Sequence, residues 1–207
     1  MRVFANGLLT GLILQTAIGP VFFFIINLAL QRSLYDGLVA VVAVTLVDYF
    51  YISLAILGIG KLLEKKRFKK TFGIISSVIL VIFGLVIFKG VLGNDVSSSS
   101  TIQSASLLAS FSATFFLTIS SPMTIVWYAS LFIAKAVEYN YTKRELLVFG
   151  LSVGLATLLF MGTSVILFSL VKKTVPISLI QTLNIIVGSL LILYGAVRLT
   201  KVLKNSA

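Results

Sequence analysis

Six apolar segments, each long enough to cross a lipid bilayer, leave this chain little choice of fold. They run approximately over residues 3–30, 37–60, 71–92, 105–134, 145–171 and 177–199. At a rise of about 1.5 Å per residue, a helix of each length matches or exceeds a hydrocarbon core about 30 Å thick. Within lipid every backbone N–H and C=O needs a partner inside its own segment, so such stretches are helices. The chain is 58% hydrophobic, with a mean hydropathy of +1.11, well beyond the usage of soluble domains. The first apolar run reaches about Leu30 with no Ala-x-Ala-like site after it, so it reads as a span rather than a cleaved signal peptide. The expectation is an all-α integral membrane protein, one transmembrane domain over residues 1–207.

The charges orient these spans. Net charge is +11. In a soluble protein that balance would suggest nucleic acid. Here the basic residues lie between apolar segments, where topology and anionic headgroups explain them, so a bilayer and not a nucleic acid is the expected partner. Thirteen of the 17 Lys and Arg fall at the two termini, in the second loop (Lys61 to Lys70) and in the fourth loop. Only Arg32, Lys89, Lys172 and Lys173 lie in the other three loops. This bias predicts both termini in the cytoplasm. The chain has no cysteine and no histidine, which excludes disulfides, thiol relays and Cys or His metal sites. No nucleophile elbow or P-loop occurs either, so neither an enzyme nor a cofactor is expected.

Two of the three prolines interrupt apolar segments. Pro20 follows Gly19 in the first, and Pro122 follows Ser121 in the fourth. A proline removes a backbone hydrogen bond and clashes with the preceding turn. In a membrane the freed carbonyl is tolerated only beside protein or a watery cavity. Helices 1 and 4 are therefore expected to be broken. The polar linker Gly93-Asn94-Asp95 with Ser97 to Ser100 divides the chain into residues 1–95 and 96–207. Each half then has three spans, a small residue before its proline and aromatic residues after it: Phe22-Phe23-Phe24 in one, Trp127-Tyr128 in the other. Gly37 and Gly150 occupy similar places early in the next span. An odd number of spans per repeat gives two inverted three-helix repeats, the plan of many secondary transporters.

Asp48 is the only acidic residue deep within a span. A central carboxylate costs about 3 kcal/mol or more and usually marks an ion, proton or substrate pathway. No Lys or Arg stands at similar depth to pair with it, which leaves a proton or a bound cation as partner. Quiet hydrogen bonding to a neighbouring helix is the structural alternative. Tyr51, Ala55 and Gly58 follow Asp48 at 3–4 residue spacing, on one helix face. Gln15 is polar near mid-span, among Gly7, Gly11 and Gly19, whose spacing suits close helix packing. Asn27 follows the first break and could bond freed backbone groups. Ser110, Thr114, Thr118, Ser121 and Thr124 form a hydroxyl stripe that suits either carbonyl capping or a polar path. Gln181, Asn184, Gly188 and Gly195 share a face suited to interhelical bonding.

The run Gly7 to Gly19-Pro20, Asn27, Gly37, Asp48, Ala55 and Gly58, followed by a basic loop, resembles the lysine-exporter (LysE/RhtB-type) family of bacterial amino-acid efflux transporters. The second proline motif and the overall length share that resemblance. In that family the fourth helix carries Asn-Pro, where this chain has Ser121-Pro122, followed by Met123-Thr124-Ile125-Val126-Trp127. The resemblance implies proton-driven export of amino acids or similar solutes across the bacterial inner membrane, from a possible homodimer. On this reading Asp48 takes the coupling proton or the substrate ammonium. Gln15, Gly19, Pro20, Asn27, Tyr51, Ser121, Pro122, Thr124 and Trp127 surround the solute, with charge from the first half and hydrogen bonds from the second. A metal-cation transporter and a non-transporting membrane scaffold are the alternatives.

Overall fold

The structure is a computed structural model that describes residues 1–16, 18–58, 66–92, 106–120, 122–172 and 177–204. Ser121, most of the basic loop before residue 66, the linker from Gly93 to Ser100 and Pro176 lie outside the described residues. Among the described residues there are eight helices and no strand. These are α1 (Arg2–Gln15), α2 (Pro20–Gln31), α3 (Leu34–Ile56), α4 (Lys66–Leu92), α5 (Leu107–Ile119), α6 (Pro122–Tyr139), α7 (Lys143–Val171) and α8 (Ile177–Lys204).

The first and fourth apolar segments are each split in two, as the prolines predict. The α1–α2 pair bends by 81° and the α5–α6 pair by 63°. Each proline opens a new helix, where its missing N–H would be unpaired anyway. Gly19, extended at φ −116°, is the N-cap of α2. Among the described residues α3, α7 and residues 181–202 of α8 are each long and apolar enough to span a membrane, and the total rises to five if each bent pair counts once. The third apolar segment lies within α4 and includes the apolar stretch Ser77–Phe88.

Local signals set several helix ends. Ser33 caps α3 by accepting from the Asp36 N–H at 3.1 Å. Thr142 and Glu145 form a capping box that opens α7. Gly58 does not continue the Asp48 face. The helix α3 stops at Ile56, and Gly58, at φ 73°, takes the left-handed conformation that closes helices.

In the bundle, α1 lies on α7, α3 lies on α5, α6 and α7, and α4 lies on α8. The second half-helix, α2, touches α3, α5, α7 and α8. Small residues allow these approaches. A Cβ on Gly11 would fall 3.0 Å from the Val153 carbonyl of α7. One on Gly37 would meet Val165 of α7 at 2.7 Å and Ala29 of α2 at 2.8 Å. One on Gly150 would meet Ile52 of α3 at 2.7 Å and Phe132 of α6 at 3.3 Å. A separate apolar cluster of Phe24, Leu80, Leu117, Val187 and Leu191 ties α2, α4, α5 and α8 together.

Candidate functional site

Both helix breaks open onto one cavity of about 440 Å³, within the roughly 300–1,000 Å³ usual for small-molecule sites. Gln15, Gly19 and Pro20 line it from the first break, and Thr118, Ser120 and Thr124 from the second. Asp48 enters from the middle of α3, Met161 from α7 and Tyr194 from α8.

Asp48 is only 5% exposed. The Thr157 hydroxyl donates to its Oδ2 at 2.8 Å. Gln15 Nε2 in turn donates to Thr157 Oγ1 at 2.6 Å. Because the amide fills an acceptor position on that oxygen, the Thr157 proton is left for the carboxylate. The Tyr128 hydroxyl is within hydrogen-bonding reach of both Asp48 and Thr157. One hydroxyl donor, Thr157, thus holds the carboxylate in an apolar setting, with the Tyr128 hydroxyl close by. Among the described residues no Lys or Arg is ion-paired with Asp48. Arg198 lies one helical turn after Tyr194 on α8, within electrostatic reach of it and of Tyr51. This arrangement can bind or release a proton, or take a cation, at a point where two half-helices start.

Of the residues singled out in the sequence, Gln15, Gly19, Pro20, Asp48, Thr124 and Trp127 line this cavity. Trp127 does so from the rim, 58% exposed. Pro122 enters as the first residue of α6. Two expectations fail. Tyr51 does not face the cavity. Its hydroxyl donates to the Ile119 carbonyl at 2.7 Å, capping the end of α5. Asn27 does not serve the first break. It lies two turns beyond it and bonds Asn184, while Gln31 bonds both asparagines. The amide face of α8 is thus used for interhelical bonding through Asn184. Two members of the hydroxyl stripe are turned inward on their own helix: Thr114 and Thr118 each donate to the carbonyl four residues back at 2.8 Å.

Thr157 and Tyr128 were not foreseen. Nothing in the sequence marks Thr157, a hydroxyl within an apolar span. For Tyr128 the signal was the aromatic run after the second proline. Adjacent residues on a helix point about 100° apart, so Trp127 and Tyr128 border the cavity at different depths, and Tyr128 is the buried one at 7%. No curated protein and no solved structure matches this chain. The model of the LysE type translocator family matches residues 12–201, and the chain belongs to that family.

Proposed function

We propose that this LysE type translocator is a secondary active exporter of amino acids or similar small solutes, coupled to protons and working by alternating access. Membership in a translocator family makes it a multi-pass membrane protein that moves solutes rather than an enzyme. The observation that carries the finer reading is the convergence of both helix breaks on Asp48 in one cavity. An amino acid has a cation and an anion a few ångströms apart. Its ammonium suits the Asp48 carboxylate. Its carboxylate suits the starts of α2 or α6, where unpaired N–H groups and the helix dipole favour negative charge. A proton on Asp48 competes with the ammonium for the same oxygen atoms, which is a direct route to exchange of solute for proton.

Alternating access needs two halves that rock about the site, and the helix pairings support this plan. Exchanging the halves turns the α1–α7 pairing into that of the fourth span with α3, and both occur. It turns the α2–α8 pairing into that of α6 with α4, and both occur again. The α3–α7 and α4–α8 pairings map onto themselves. Gly37 and Gly150 obey the same exchange: each meets the half-helix before it and the second span of the other half. On this reading six spans leave both termini on one side of a bacterial inner membrane, the bias of Lys and Arg makes that side the cytoplasm, and a homodimer is the proposed assembly.

Inside-out vesicles test the reading. With an acidic interior they should accumulate at least one member of a labelled amino-acid panel, and a protonophore should abolish the accumulation. Uptake indifferent to the gradient would remove proton coupling. No uptake of any member would remove the amino-acid reading.

A further inference from the structure

A second cavity, of about 160 Å³, lies between α2, α4, α5 and α8. An apolar cavity of about 150 Å³ holds a benzene-sized guest, so this one has room for the backbone end of an amino acid. Its walls are mixed. Phe24 and Phe83, in edge contact at 5.8 Å, form the apolar side. Asn27, Gln31, Asn184 and Arg32 form the polar side.

Arg32 is the distinctive group. Its Nη1 donates to Ser110 Oγ at 2.7 Å and lies 3.7 Å from Asp36 Oδ1. Asp36 is already served by hydroxyls, from Ser33 at 2.6 Å and Ser110 at 2.5 Å. The Arg32 Nε is buried and has no partner. A buried charged donor without an acceptor is costly. A guanidinium has two edges that can each grip a carboxylate with two parallel hydrogen bonds, and Arg32 lines the cavity. Lys172 donates to the Arg32 carbonyl at 2.6 Å and adds positive charge at the same end of the bundle.

This cavity stands apart from the central one. Asp36 and Asp48 are both on α3, so the two sites are about 18 Å apart along it. Between them lies the apolar cluster of Phe24, Leu80, Leu117, Val187 and Leu191. Leu80 and Leu117 face the central cavity, and Phe24 and Phe83 face the second one. We infer that the Arg32 cavity is a second station for the solute, binding its carboxylate, and that the Phe24–Phe83 layer separates it from the central station. The distribution of Lys and Arg puts this station on the exit side. The inference rests on the export reading above.

The absence of native cysteine makes the test direct. Ala113→Cys reports the second cavity and Met161→Cys the central one, in phosphatidylcholine nanodiscs treated with a small methanethiosulfonate reagent. The competitors are free L-amino acids, their methyl esters, and sodium chloride at matched ionic strength. Free amino acids should slow labelling at both cysteines, and esters should fail at Ala113→Cys. Arg32→Gln should raise the half-protecting concentration at Ala113→Cys by about tenfold or more and leave the Met161→Cys curve unchanged. Arg32→Gln with Asp36→Asn removes both charges and keeps the test open if the single variant misfolds. Protection at Met161→Cys with none at Ala113→Cys overturns the second station and spares the export reading. Equal protection by chloride also overturns the station, because it assigns an inorganic anion to Arg32. No protection at either position overturns both.

Discussion

Among the described residues the central cavity holds a lone carboxylate and the Arg32 cavity an ion pair, yet the two halves of the chain divide the work in the same way. In the first, a carboxylate from the first half, Asp48, is held by Thr157 from the second, with Tyr128 beside it. In the other, Arg32 and Asp36 come from the first half and share Ser110 from the second. The difference lies in the counter-ion. Arg32 has one within the protein, 3.7 Å away, whereas no Lys or Arg pairs with Asp48 among the described residues. A buried charge without a counter-ion is the more expensive of the two, and the missing positive charge is what a proton or a solute ammonium supplies. Two site charges on one half leave the other half free to shape and orient.

The sharpest way to break this contrast is Asp48→Asn. It keeps size and hydrogen-bonding capacity but removes the charge. Gradient-driven export should fall about a hundredfold or more, the scale of losing a charged hydrogen-bond partner. The amount of protein in the membrane should be unchanged. Export at the wild-type rate by the Asn variant would show that Asp48 is as structurally satisfied as Asp36, and the contrast would vanish.

A smaller effect is expected at Thr157. Thr157→Val keeps the shape of the side chain, removes one donor from Asp48 and leaves the Gln15 amide without its acceptor. The expected outcome is about a tenfold loss of export, together with about 1–3 kcal/mol of stability for the orphaned amide. Thr157→Ser should restore both. Equal damage from Val and Ser would mean that Thr157 acts through packing, and that the second half does not orient the carboxylate.

These residues also mark where the sequence was readable. Charge and proline stand out in an apolar span because each has a large cost, so Asp48, Gln15 and the two breaks were visible, along with the division of labour between the halves. Hydroxyls carry no such cost. Thr114 and Thr118 bond their own helix, so a threonine in a span gives no sign of whether it faces a site, and Thr157 passed unnoticed. Asp36 lies in the first turn of α3, and its burial depends on α5, which brings Ser110 onto it from 74 residues away. Its exposure, 7%, is nearly that of Asp48. Asn27 was read with the nearest break, but its partners Gln31 and Asn184 are set by how α2 meets α8. Gly58 fits the helical spacing from Asp48 and still ends the helix, because spacing says nothing about where a helix stops.

The smallest effect should come from the residue that looks most like a binding-site aromatic. Trp127 and Tyr128 are adjacent on α6 and both touch the central cavity. Trp127 is 58% exposed on the outer side of the bundle, and Tyr128 is buried beside Asp48. In a lipid-facing position a large apolar side chain has an equally apolar alternative, so Trp127→Leu should change stability by no more than about 0.5 kcal/mol and export by no more than about twofold. Tyr128→Phe loses a single oxygen atom from a smaller side chain, yet it removes the hydroxyl beside the carboxylate and should slow export several-fold, less than Thr157→Val does but more than Trp127→Leu. Vesicle uptake of the same labelled solute, measured for the two variants side by side, checks the order. If Trp127→Leu proves the more damaging, the solute rests on the rim of the cavity rather than against Asp48, and the second half contributes a contact surface instead of orienting hydroxyls.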